Sequence, residues 1–266
     1  MRLRNKVIII TGSTTGIGKA IALHCAAEGA FIVVNGLEEE WGKTVAEQIG
    51  KDKATLHIED ISEEGAPQRL VDVAIKTFGK LDAIVNNAAA VVSSDIQTTD
   101  KAFLRKVLDI NTIAPFLLIK AALPYLAEQA GSVLNIGSVN GWCGEPNLLA
   151  YSISKGALMT MTRNLGDTLH RENGVRVNQI NPGWVLTENE VQRKKEQGLE
   201  EDWFKDIPEL FAPARRILQP EEIAAAALYW LSDESGPVSG QVMELEQYPL
   251  IGRNPPKDTF AIKISK

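Results

Sequence analysis

Cysteine and histidine are scarce in this chain of 266 residues. The two cysteines, Cys25 and Cys143, stand alone, with no C-x-x-C pair. This argues against a disulfide scaffold or a zinc site and fits a reducing compartment. The three histidines, His24, His57 and His170, are scattered without the spacing of metal ligands. The sequence therefore predicts no metal site.

Long apolar runs and a strong excess of charge are also missing. No stretch approaches the roughly 18 uninterrupted apolar residues that indicate a membrane span. The N-terminal apolar run covers only residues 7–10, which is too short for a signal peptide. The formal net charge of -6 gives no general attraction to nucleic acid or to anionic membranes. We therefore expect a cytoplasmic protein without nucleic-acid or membrane partners.

The first two thirds of the chain alternate short apolar runs with longer segments of helical spacing. The runs are rich in valine and isoleucine, which is typical of strands buried on both faces. The predicted strands are 6–11, 30–35, 54–58, 81–87, 131–138 and 174–182, and the predicted helical segments are 17–29, 38–49, 63–78, 100–128 and 151–171. This alternation predicts an α/β fold with a parallel sheet, helices on both faces and right-handed crossovers.

The pattern changes after Gly183. Residues 184–218 are charged and aromatic, contain prolines and show no strand pattern. A segment of this length without strands is typical of a functional loop. We therefore expect residues 184–218 to leave the sheet edge and form a lid over the substrate.

The end of the chain predicts two more elements. Residues 220–232 have helical spacing, with Pro220 in the first turn, where proline is favoured. Residues 240–245 predict a short last strand. No linker or internal repeat divides the chain, so we expect one domain over 1–266, with 249–266 as an irregular C-terminal tail.

A glycine-rich stretch, TGSTTGIG at residues 11–18, follows the first predicted strand and opens the first helix. Glycine permits a positive φ and a close approach of the backbone to a ligand, and the helix start offers free N–H groups to a pyrophosphate. Taken alone, the stretch is equally explained as a simple turn between strand and helix. Its position after the first strand of an alternating chain favours dinucleotide binding. The predicted cofactor-binding residues here are Gly12, Ser13, Thr14, Thr15, Gly16, Ile17 and Gly18.

The tip of the second strand bears on the choice of cofactor. An acidic residue there commonly holds the ribose hydroxyls of NAD, whereas an arginine accommodates the 2′-phosphate of NADP. The tip is Asn35-Gly36-Leu37, followed by the glutamates of 38–40, and no cation is present. This favours NAD over NADP. The glutamates are also explained as the exposed first turn of a helix, where acidic residues are favourable.

Residues 151–155, YSISK, place a tyrosine and a lysine four positions apart, on one face of a helix. The pair is a weak signal alone. Together with the glycine loop, NNAA at 86–89, Ser138 after the fifth strand and NPGWVLT at 181–187, it makes the chain resemble the short-chain dehydrogenase/reductase family from about residue 4 to residue 245. The resemblance implies a single Rossmann-like, doubly wound domain with a seven-stranded parallel sheet. It also implies a homo-oligomer, a tetramer or dimer, that transfers hydride between a nicotinamide and an alcohol or carbonyl.

The residue types suit that chemistry. A proton must move on oxygen as hydride moves on carbon, and tyrosine with its ordinary pKa of about 10 is a poor base at neutral pH. A lysine ammonium one turn away is expected to lower the pKa of Tyr151, the proposed acid and base. The resemblance implies that Lys155 also contacts the nicotinamide ribose, that Ser138 holds the substrate oxygen, and that Asn111 holds a water in a proton relay. Ser138 as a strand-end cap and Asn111 as a buried polar group of a helix are the structural alternatives.

Further cofactor contacts follow from the same resemblance. The implied residues are Asp60, Ile61, Asn87, Ala88, Ala89, Tyr151, Lys155, Pro182, Gly183, Val185 and Thr187. Ala89 stands where the family usually has glycine, so we expect a tighter floor to the site. For Asp60 the alternative is a cap of the helix that follows, a role in which Ser62 is a rival.

The substrate wall is expected after Ser138 and in the lid. The candidate substrate contacts are Asn140, Trp142, Glu145, Asn147 and Trp184, with Glu188, Trp203, Phe204 and Phe211 as further lid candidates. Hydrogen-bonding groups beside aromatic faces favour a small hydroxylated substrate such as a sugar or polyol. The basic run 193–195 is expected to be a solvated surface.

Two alternative functions remain open. A 3-oxoacyl thioester is the second substrate class, because many family members with these motifs act on one. A dinucleotide-binding regulator without catalysis is a different class of function, although such a protein is expected to lack Tyr151 or Lys155. From the end of the last predicted strand the chain has ELEQYPLIGRNPP at residues 244–256, where the family often has V-D-G-G, so the subunit contacts made there are open to change.

Overall fold

The computed structural model of the protein describes residues 1–200 and 202–249. Most of the predicted C-terminal tail, residues 250–266, lies outside the described residues, as does residue 201 of the lid. The strands are β1 (Val7–Ile10), β2 (Phe31–Gly36), β3 (Ala54–Ile58), β4 (Ala83–Asn86), β5 (Ser132–Ile136), β6 (Arg176–Pro182) and β7 (Val242–Leu245). The α-helices are α1 (Gly16–Ala27), α2 (Glu39–Ile49), α3 (Ala66–Phe78), α4 (Lys101–Leu108), α5 (Ala114–Glu128), α6 (Asn140–Cys143), α7 (Leu149–Asn173), α8 (Glu188–Glu196) and α9 (Pro220–Leu231).

The seven strands form a parallel sheet in the order β3-β2-β1-β4-β5-β6-β7. β1 lies in the middle, with Ile9 in register with Val33 of β2 and with Ile84 of β4. This confirms the predicted seven-stranded, doubly wound α/β fold. Each predicted strand matches an observed one to within two residues at either end, because buried parallel strands carry continuous apolar runs.

Helices cover both faces of the sheet. Successive side chains of a strand point to opposite faces, so Ile8 and Ile10 pack in one core with α1 and α9, and Val7 and Ile9 pack in a second core with α3 and α5. Burying a side chain of this size contributes roughly 1.5–3 kcal/mol to the free energy of unfolding. The two cores hold the sheet rigid beneath the loops at its edge.

A π-helical turn, Asp109–Ile113, separates α4 from α5 within the segment that the sequence predicts as one helix. The whole stretch Lys101–Glu128 is long and apolar enough to cross a membrane by length and composition alone. Leu118, Ala122 and Leu126 are buried in the core shared with α3, and a core helix passes the same test.

The lid contains one α-helix that the sequence pattern does not predict, α8. Thr187 is its N-cap, and its hydroxyl accepts a hydrogen bond of 3.1 Å from the backbone N–H of Glu190. Beyond α8, Trp203 stacks on Trp184 with ring centroids 5.1 Å apart, and both pack on a small apolar cluster around Ile217. The lid thus has its own core.

Candidate active site

The carboxyl ends of the strands open into a cavity of about 780 Å³. The cavity runs from the loops after β2 and β3, over the glycine loop after β1, to the loops after β4, β5, β6 and β7. The winding of the sheet reverses between β1 and β4, and open α/β sheets bind ligands at the carboxyl ends beside such a point. The volume lies in the range of cofactor and substrate sites.

The glycine loop forms the middle of this cavity. Gly12 has a φ of 61° and Gly16 a φ of 54°, a backbone conformation that favours glycine. A Cβ at Gly12 would lie 2.9 Å from the Cα of Ala88, so the loop lies directly against the chain after β4. The loop residues that line the cavity are Gly12, Thr14, Thr15, Gly16 and Ile17.

Two predicted loop residues, Ser13 and Gly18, do not line the cavity. The Ser13 hydroxyl donates to the carbonyl of Ile10 at 2.7 Å and is fully buried. Gly18 is where α1 packs on the loop, and a Cβ there would collide with the carbonyl of Gly12 and the side-chain amide of Asn87. These two residues shape the loop from behind, which corrects the expectation that they touch the cofactor.

Asn87 fixes the glycine loop to the end of β4. Its Nδ2 donates to the carbonyls of Thr11 and Gly12, at 2.9 Å each. In return, Thr11 Oγ1 accepts from the N–H groups of Asn87 and Ala88 at 3.0 and 3.1 Å. Asn87, Ala88 and Ala89 all line the cavity. The glycines with positive φ at the N-terminus of α1 fit a dinucleotide pyrophosphate, because they let the ligand approach the backbone closely.

The far end of the cavity lies after β2 and β3. Glu38 lines it and accepts a hydrogen bond of 2.6 Å from the Thr14 hydroxyl. Asn35 is buried, and its Nδ2 donates to the carbonyls of His57 and Glu59 at 3.0 Å each. Among the described residues that line this end of the cavity, none is a lysine or an arginine. The surroundings are acidic, as the sequence indicates.

Asp60 and Ile61 also line this end. Asp60 Oδ1 accepts from the backbone N–H of Ser62 at 2.9 Å and from its hydroxyl at 2.7 Å. The helix that follows begins only at Ala66, with Gly65 as its N-cap. Neither Asp60 nor Ser62 therefore caps α3, so the competing structural explanation for Asp60 is wrong.

Ser138, Tyr151 and Lys155 meet at the opposite end of the cavity. Ser138 follows β5, and Tyr151 and Lys155 lie one turn apart on α7. The Lys155 Nζ is buried, donates to the carbonyl of Ile136 at 2.7 Å and lies 5.7 Å from the centre of the Tyr151 ring. The Ser138 Oγ accepts from the backbone N–H of Asn140 at 3.1 Å. The three predicted catalytic side chains thus share one wall.

Burial dominates the acidities of the tyrosine and the lysine. It raises the pKa of Tyr151 to about 12, against the opposing influence of the adjacent Ser138 side chain and the positive charge of Arg193. It lowers the pKa of Lys155 to about 7. The expectation that the tyrosine pKa lies below its ordinary value is wrong for the protein as described, because desolvation of the phenolate outweighs the nearby charges. The pKa of Lys155, by contrast, lies close to neutral pH.

A chain of buried polar side chains holds Ser138 from below. Asn181 Oδ1 accepts from the backbone N–H of Ser138 at 3.1 Å and from Gln179 Nε2 at 2.6 Å. Gln179 Oε1 accepts from the Thr162 hydroxyl at 2.8 Å, and this hydroxyl accepts from Asn135 on β5. A satisfied network of this kind specifies one geometry, and here that geometry sets the backbone of Ser138.

Asn111 is the predicted catalytic residue that the structure does not bring to the cavity. It is fully buried in the π-helical turn. Its Nδ2 donates to the carbonyl of Ala90 and to the Ser154 hydroxyl, at 3.1 and 2.9 Å, and its Oδ1 accepts from the N–H of Ala90. Because both N–H groups of the amide are taken by protein acceptors, the side chain connects the loop after β4 to α7. The relay role of Asn111 stays a prediction.

The loop after β6 brings its predicted residues to the catalytic end. Pro182, Gly183, Val185 and Thr187 line the cavity there. Val185 forms an isolated β-bridge with Leu218, the last residue of the lid. The hydroxyl of Thr187 is engaged as the cap of α8, so the first turn of the lid helix is fixed beside the cavity.

Three predicted substrate contacts, Asn140, Glu145 and Trp184, lie at this end. Asn140 Nδ2 donates to Glu145 Oε2 at 2.8 Å, and Trp184 Nε1 donates to Glu190 Oε1 at 2.8 Å. Glu190 also forms a salt bridge with Arg193, with 2.7 Å between Glu190 Oε2 and Arg193 Nη2. The space next to Ser138 and Tyr151 is therefore bordered by carboxylates, each paired with a neutral or a cationic hydrogen-bond donor.

Trp142 and Asn147 do not line the cavity. The Trp142 ring packs under the guanidinium of Arg163 on α7, at 4.8 Å, on the outside of α6. Asn147 has a φ of 65° in the following turn, and its carbonyl accepts from the N–H of Ser94. The expected substrate contacts of these two residues are therefore not in the cavity, because Trp142 packs on Arg163 and the carbonyl of Asn147 is bound in the turn.

Several cavity residues escape the sequence prediction, and four of them, Arg193, Lys194, Glu246 and Tyr248, carry a charge or a hydroxyl at the catalytic end. The basic run was expected to be a solvated surface, yet Lys194 lies 5.3 Å from the centre of the Trp184 ring and both cations face the cavity. The other two follow β7, whose carboxyl end reaches the same sheet edge as the others. That topological rule, applied to the last strand, is the signal that identifies them. Among the described residues, no group of histidine, cysteine or acidic side chains is arranged to hold a metal ion.

Comparison with known proteins agrees with this arrangement. Residues 12–246 match the family model described as enoyl-(acyl carrier protein) reductase. The chain is 35% identical to glucose 1-dehydrogenase 2 of Bacillus subtilis, over 91% of this chain and 93% of that protein. It is 32% identical to an NADP-dependent (R)-specific alcohol dehydrogenase of Lentilactobacillus kefiri, over 88% and 92% of the two chains. It is 30% identical to a 3-oxoacyl-[acyl-carrier-protein] reductase of Thermotoga maritima, over 92% and 98%.

Proposed function

The chain belongs to the short-chain dehydrogenase/reductase family, and we propose that it is an NAD-dependent dehydrogenase of a small hydroxylated substrate, a sugar or polyol. The coarser statement, that it is an NAD(P)-dependent oxidoreductase, follows from the family and its relatives. The finer proposal concerns the cofactor, the substrate and the residues that act.

One observation carries the catalytic part of the proposal. Ser138, Tyr151 and Lys155 share the wall at one end of a long cavity whose middle is a glycine cradle. Bound in that cradle, NAD supplies a carbon that accepts hydride from an alcohol or, once reduced, returns it to a carbonyl. Residues at the catalytic end would hold the nicotinamide, and residues around Glu38 at the other end would hold the adenosine.

The chain's own residues manage the proton. We assign Ser138 to hold the substrate oxygen and Tyr151 to exchange a proton with it. With a pKa raised to about 12, Tyr151 is protonated at neutral pH and is ready to donate to a carbonyl oxygen. In the oxidative direction its phenolate form accepts the alcohol proton. When Lys155 carries its proton, the ammonium, 5.7 Å from the ring centre, favours that phenolate.

The lining of the catalytic end supports a hydroxylated substrate. Glu145, Glu190 and Glu246 present carboxylates there, with Asn140 and Tyr248 beside them. Carboxylate oxygens accept hydrogen bonds from hydroxyl groups, and the pairs that they already make fix their positions. The similarity to a glucose dehydrogenase agrees with this assignment. An acyl thioester is the second candidate, favoured by the family model and by the similarity to a 3-oxoacyl-thioester reductase.

The adenosine end supports NAD. Glu38 lines it with a carboxylate that would repel a 2′-phosphate, and among the described residues that line this end no cation stands ready to receive one. One relative is NADP-dependent. Membership of the family therefore does not by itself determine whether the cofactor is NAD or NADP.

A spectrophotometric screen at about 340 nm tests the proposal, since reduced nicotinamides absorb there. Purified protein is assayed with NAD and NADP against aldoses, polyols and, with the reduced cofactors, a 3-oxoacyl thioester. We expect turnover with NAD and a sugar or polyol. Turnover of the thioester alone contradicts the substrate assignment, and a preference for NADP contradicts the cofactor assignment.

We also propose that the protein is a homo-oligomer. Ile113, Phe116, Leu117 and Ile153 are each more than 40% exposed, and they lie on the π-helical turn, α5 and α7. Large apolar side chains grouped on a surface mark protein contacts. Light scattering after size exclusion is expected to give a mass above the monomer, and Phe116→Asp is expected to lower it. A monomeric mass for the unaltered protein contradicts this proposal.

A further inference from the structure

The two ends of the lid meet beside the cavity. Val185, at the start of the lid, bridges Leu218, at its end. The N–H of Leu186 donates to the carbonyl of Leu218 at 2.8 Å, and the N–H of Leu218 donates to the carbonyl of Trp184 at 2.9 Å. Residues 184–218 are therefore a closed loop, and whatever holds these ends sets the position of the loop over the cavity.

Glu246 holds the first end. Its Oε2 accepts a hydrogen bond of 3.2 Å from the N–H of Trp184, and its Oε1 accepts one of 2.7 Å from the N–H of Gln247. The carboxylate lies directly on Gly183, where a Cβ would collide with it. The N–H of Gly183 in turn donates to the carbonyl of Leu245 at 2.9 Å. The start of the lid is thus attached to the end of β7 by backbone and side chain together.

Gln247 holds the second end. Its Oε1 accepts from the N–H of Ala214 at 2.9 Å, and its Nε2 donates to the carbonyl of Arg216 at 2.6 Å. One amide side chain therefore satisfies a donor and an acceptor of the returning limb. Glu246 and Gln247 are adjacent in sequence, so two consecutive residues after β7 fasten both limbs of the lid.

We propose that Glu246 and Gln247, together called the lid clasp, are positioning residues that hold the lid against the cofactor and the substrate. Gln247 acts through Trp184, Val185 and Thr187, which line the catalytic end of the cavity, whereas Glu246 acts through them and also lines the cavity itself. The proposal rests on the proposed function in one respect, that the lid covers a bound nicotinamide and substrate. It also gives a role to the stretch in which the chain departs from the V-D-G-G ending of the family.

Hydrogen exchange followed by mass spectrometry tests the clasp directly. We expect Gln247→Ala to speed the exchange of backbone amides in 184–187 and 214–218 by roughly tenfold, because local opening then exposes them. Exchange in β1, β4 and β5 is expected to stay unchanged. Glu246→Ala is expected to act mainly on 184–187, and Glu246→Gln, which keeps one acceptor oxygen, is expected to have an intermediate effect. Gln241→Ala, in the turn before β7, and Glu244→Gln, within β7, are the matched controls. Among the described residues, neither side chain makes a hydrogen bond to the lid.

Function supplies the second readout. Loss of one or two hydrogen bonds is expected to raise the Kd for NADH and the KM for the substrate found in the screen by about two- to tenfold. The kcat is expected to fall less than the KM rises, since Ser138, Tyr151 and Lys155 are untouched. A purely structural role would instead lower the amount of folded enzyme and leave Kd and KM unchanged.

Two results overturn the clasp. Unchanged exchange in 184–187 and 214–218 shows that the two side chains do not hold the lid. Faster exchange with unchanged Kd and KM shows that Glu246 and Gln247 hold the lid but do not position the groups that bind cofactor and substrate. If the screen finds no substrate, the proposed function fails on its own, while exchange and NADH binding still decide whether the clasp exists and acts.

Discussion

The carboxylate of Glu188 accepts a hydrogen bond of 3.0 Å from the backbone N–H of Gly16. Gly16 is the first residue of α1, and Glu188 is the first residue of α8 in the lid. The side chain of Thr187 lies against Gly16 as well. A negative charge of the lid therefore occupies the helix terminus at which a dinucleotide pyrophosphate is expected to bind.

Replacing Glu188 with glutamine is expected to tighten the binding of NADH by about three- to tenfold at low ionic strength, because the pyrophosphate no longer displaces a like charge. Fluorescence titration at about 0.02 M and about 0.3 M salt measures the effect, which is expected to shrink at the higher salt. Adenosine, which has no phosphate, is expected to bind both forms equally.

Glu196→Gln is the matched control, since it removes the same charge from the other end of α8. An equal gain in affinity from Glu196→Gln attributes the effect to net charge rather than to the contact with Gly16. Weaker NADH binding in Glu188→Gln shows that the carboxylate helps to hold the cofactor.

Lys155→Met is expected to change how stability depends on pH. Burial lowers the folded-state pKa of Lys155 to about 7 from its ordinary 10.5, so the unfolded chain binds more protons between these values. The free energy of unfolding of the unaltered protein therefore rises with pH across this window, by at most about 1.4 kcal/mol per pH unit. The methionine variant lacks this rise. Its free energy of unfolding relative to that of the unaltered protein is therefore highest below pH 7 and falls toward pH 10.

Urea unfolding between pH 6 and pH 10 checks this, with Lys120→Met on the exposed side of α5 as the control. A stability difference between Lys155→Met and the unaltered protein that does not vary with pH contradicts the lowered pKa.

Tyr151→Phe is expected to reduce turnover by at least about 100-fold, because the proton donor and acceptor is lost while the ring and its packing remain. The Kd for NADH is expected to change by less than about twofold. Steady-state rates and fluorescence titration measure the two quantities.

Tyr229→Phe removes the same hydroxyl from an exposed position on α9 and is expected to have no effect on turnover. Turnover retained by Tyr151→Phe rules out the proposed mechanism.

Glu38→Arg is expected to shift the cofactor preference toward NADP. A guanidinium in place of the carboxylate removes a repulsion and adds a bidentate partner for the 2′-phosphate. We expect the ratio of kcat/KM for NADP to that for NAD to rise by at least about tenfold. The control is Glu39→Arg, because Glu39 pairs with Lys43 at 2.9 Å and does not line the cavity. An equal shift in both variants attributes the effect to surface charge.

The sequence predicts the sheet and the glycine loop because each depends on local rules, whereas the family resemblance implies the meeting of Ser138 with Tyr151. Buried parallel strands need continuous apolar runs, and their carboxyl ends share one edge. The sequence pattern does not predict α8, although Thr187 and Glu190 at its start have the spacing of a capping box.

Side-chain directions were less predictable than elements. Trp142 and Asn147 follow the catalytic serine in sequence, yet a positive φ and a cation on α7 determine where they point. The acidity of Tyr151 was misjudged because the sequence shows which charges are near but not how deeply the phenol is buried. The roles of Glu246 and Gln247 depend on contacts between segments more than 30 residues apart, and no local pattern encodes such contacts.

The π-helical turn at Asp109–Ile113 has a consequence for how the chain tolerates changes in length. Such a turn is equivalent to an α-helix with one residue inserted, and each residue of an α-helix rotates the next by about 100°. Deleting one residue here would restore a regular helix and turn α5 relative to α4. Leu118 would leave the core, and the amide of Asn111 would no longer reach both Ala90 and Ser154. Deletion or insertion of a single residue in this segment is therefore expected to be far more damaging than a substitution that keeps its length.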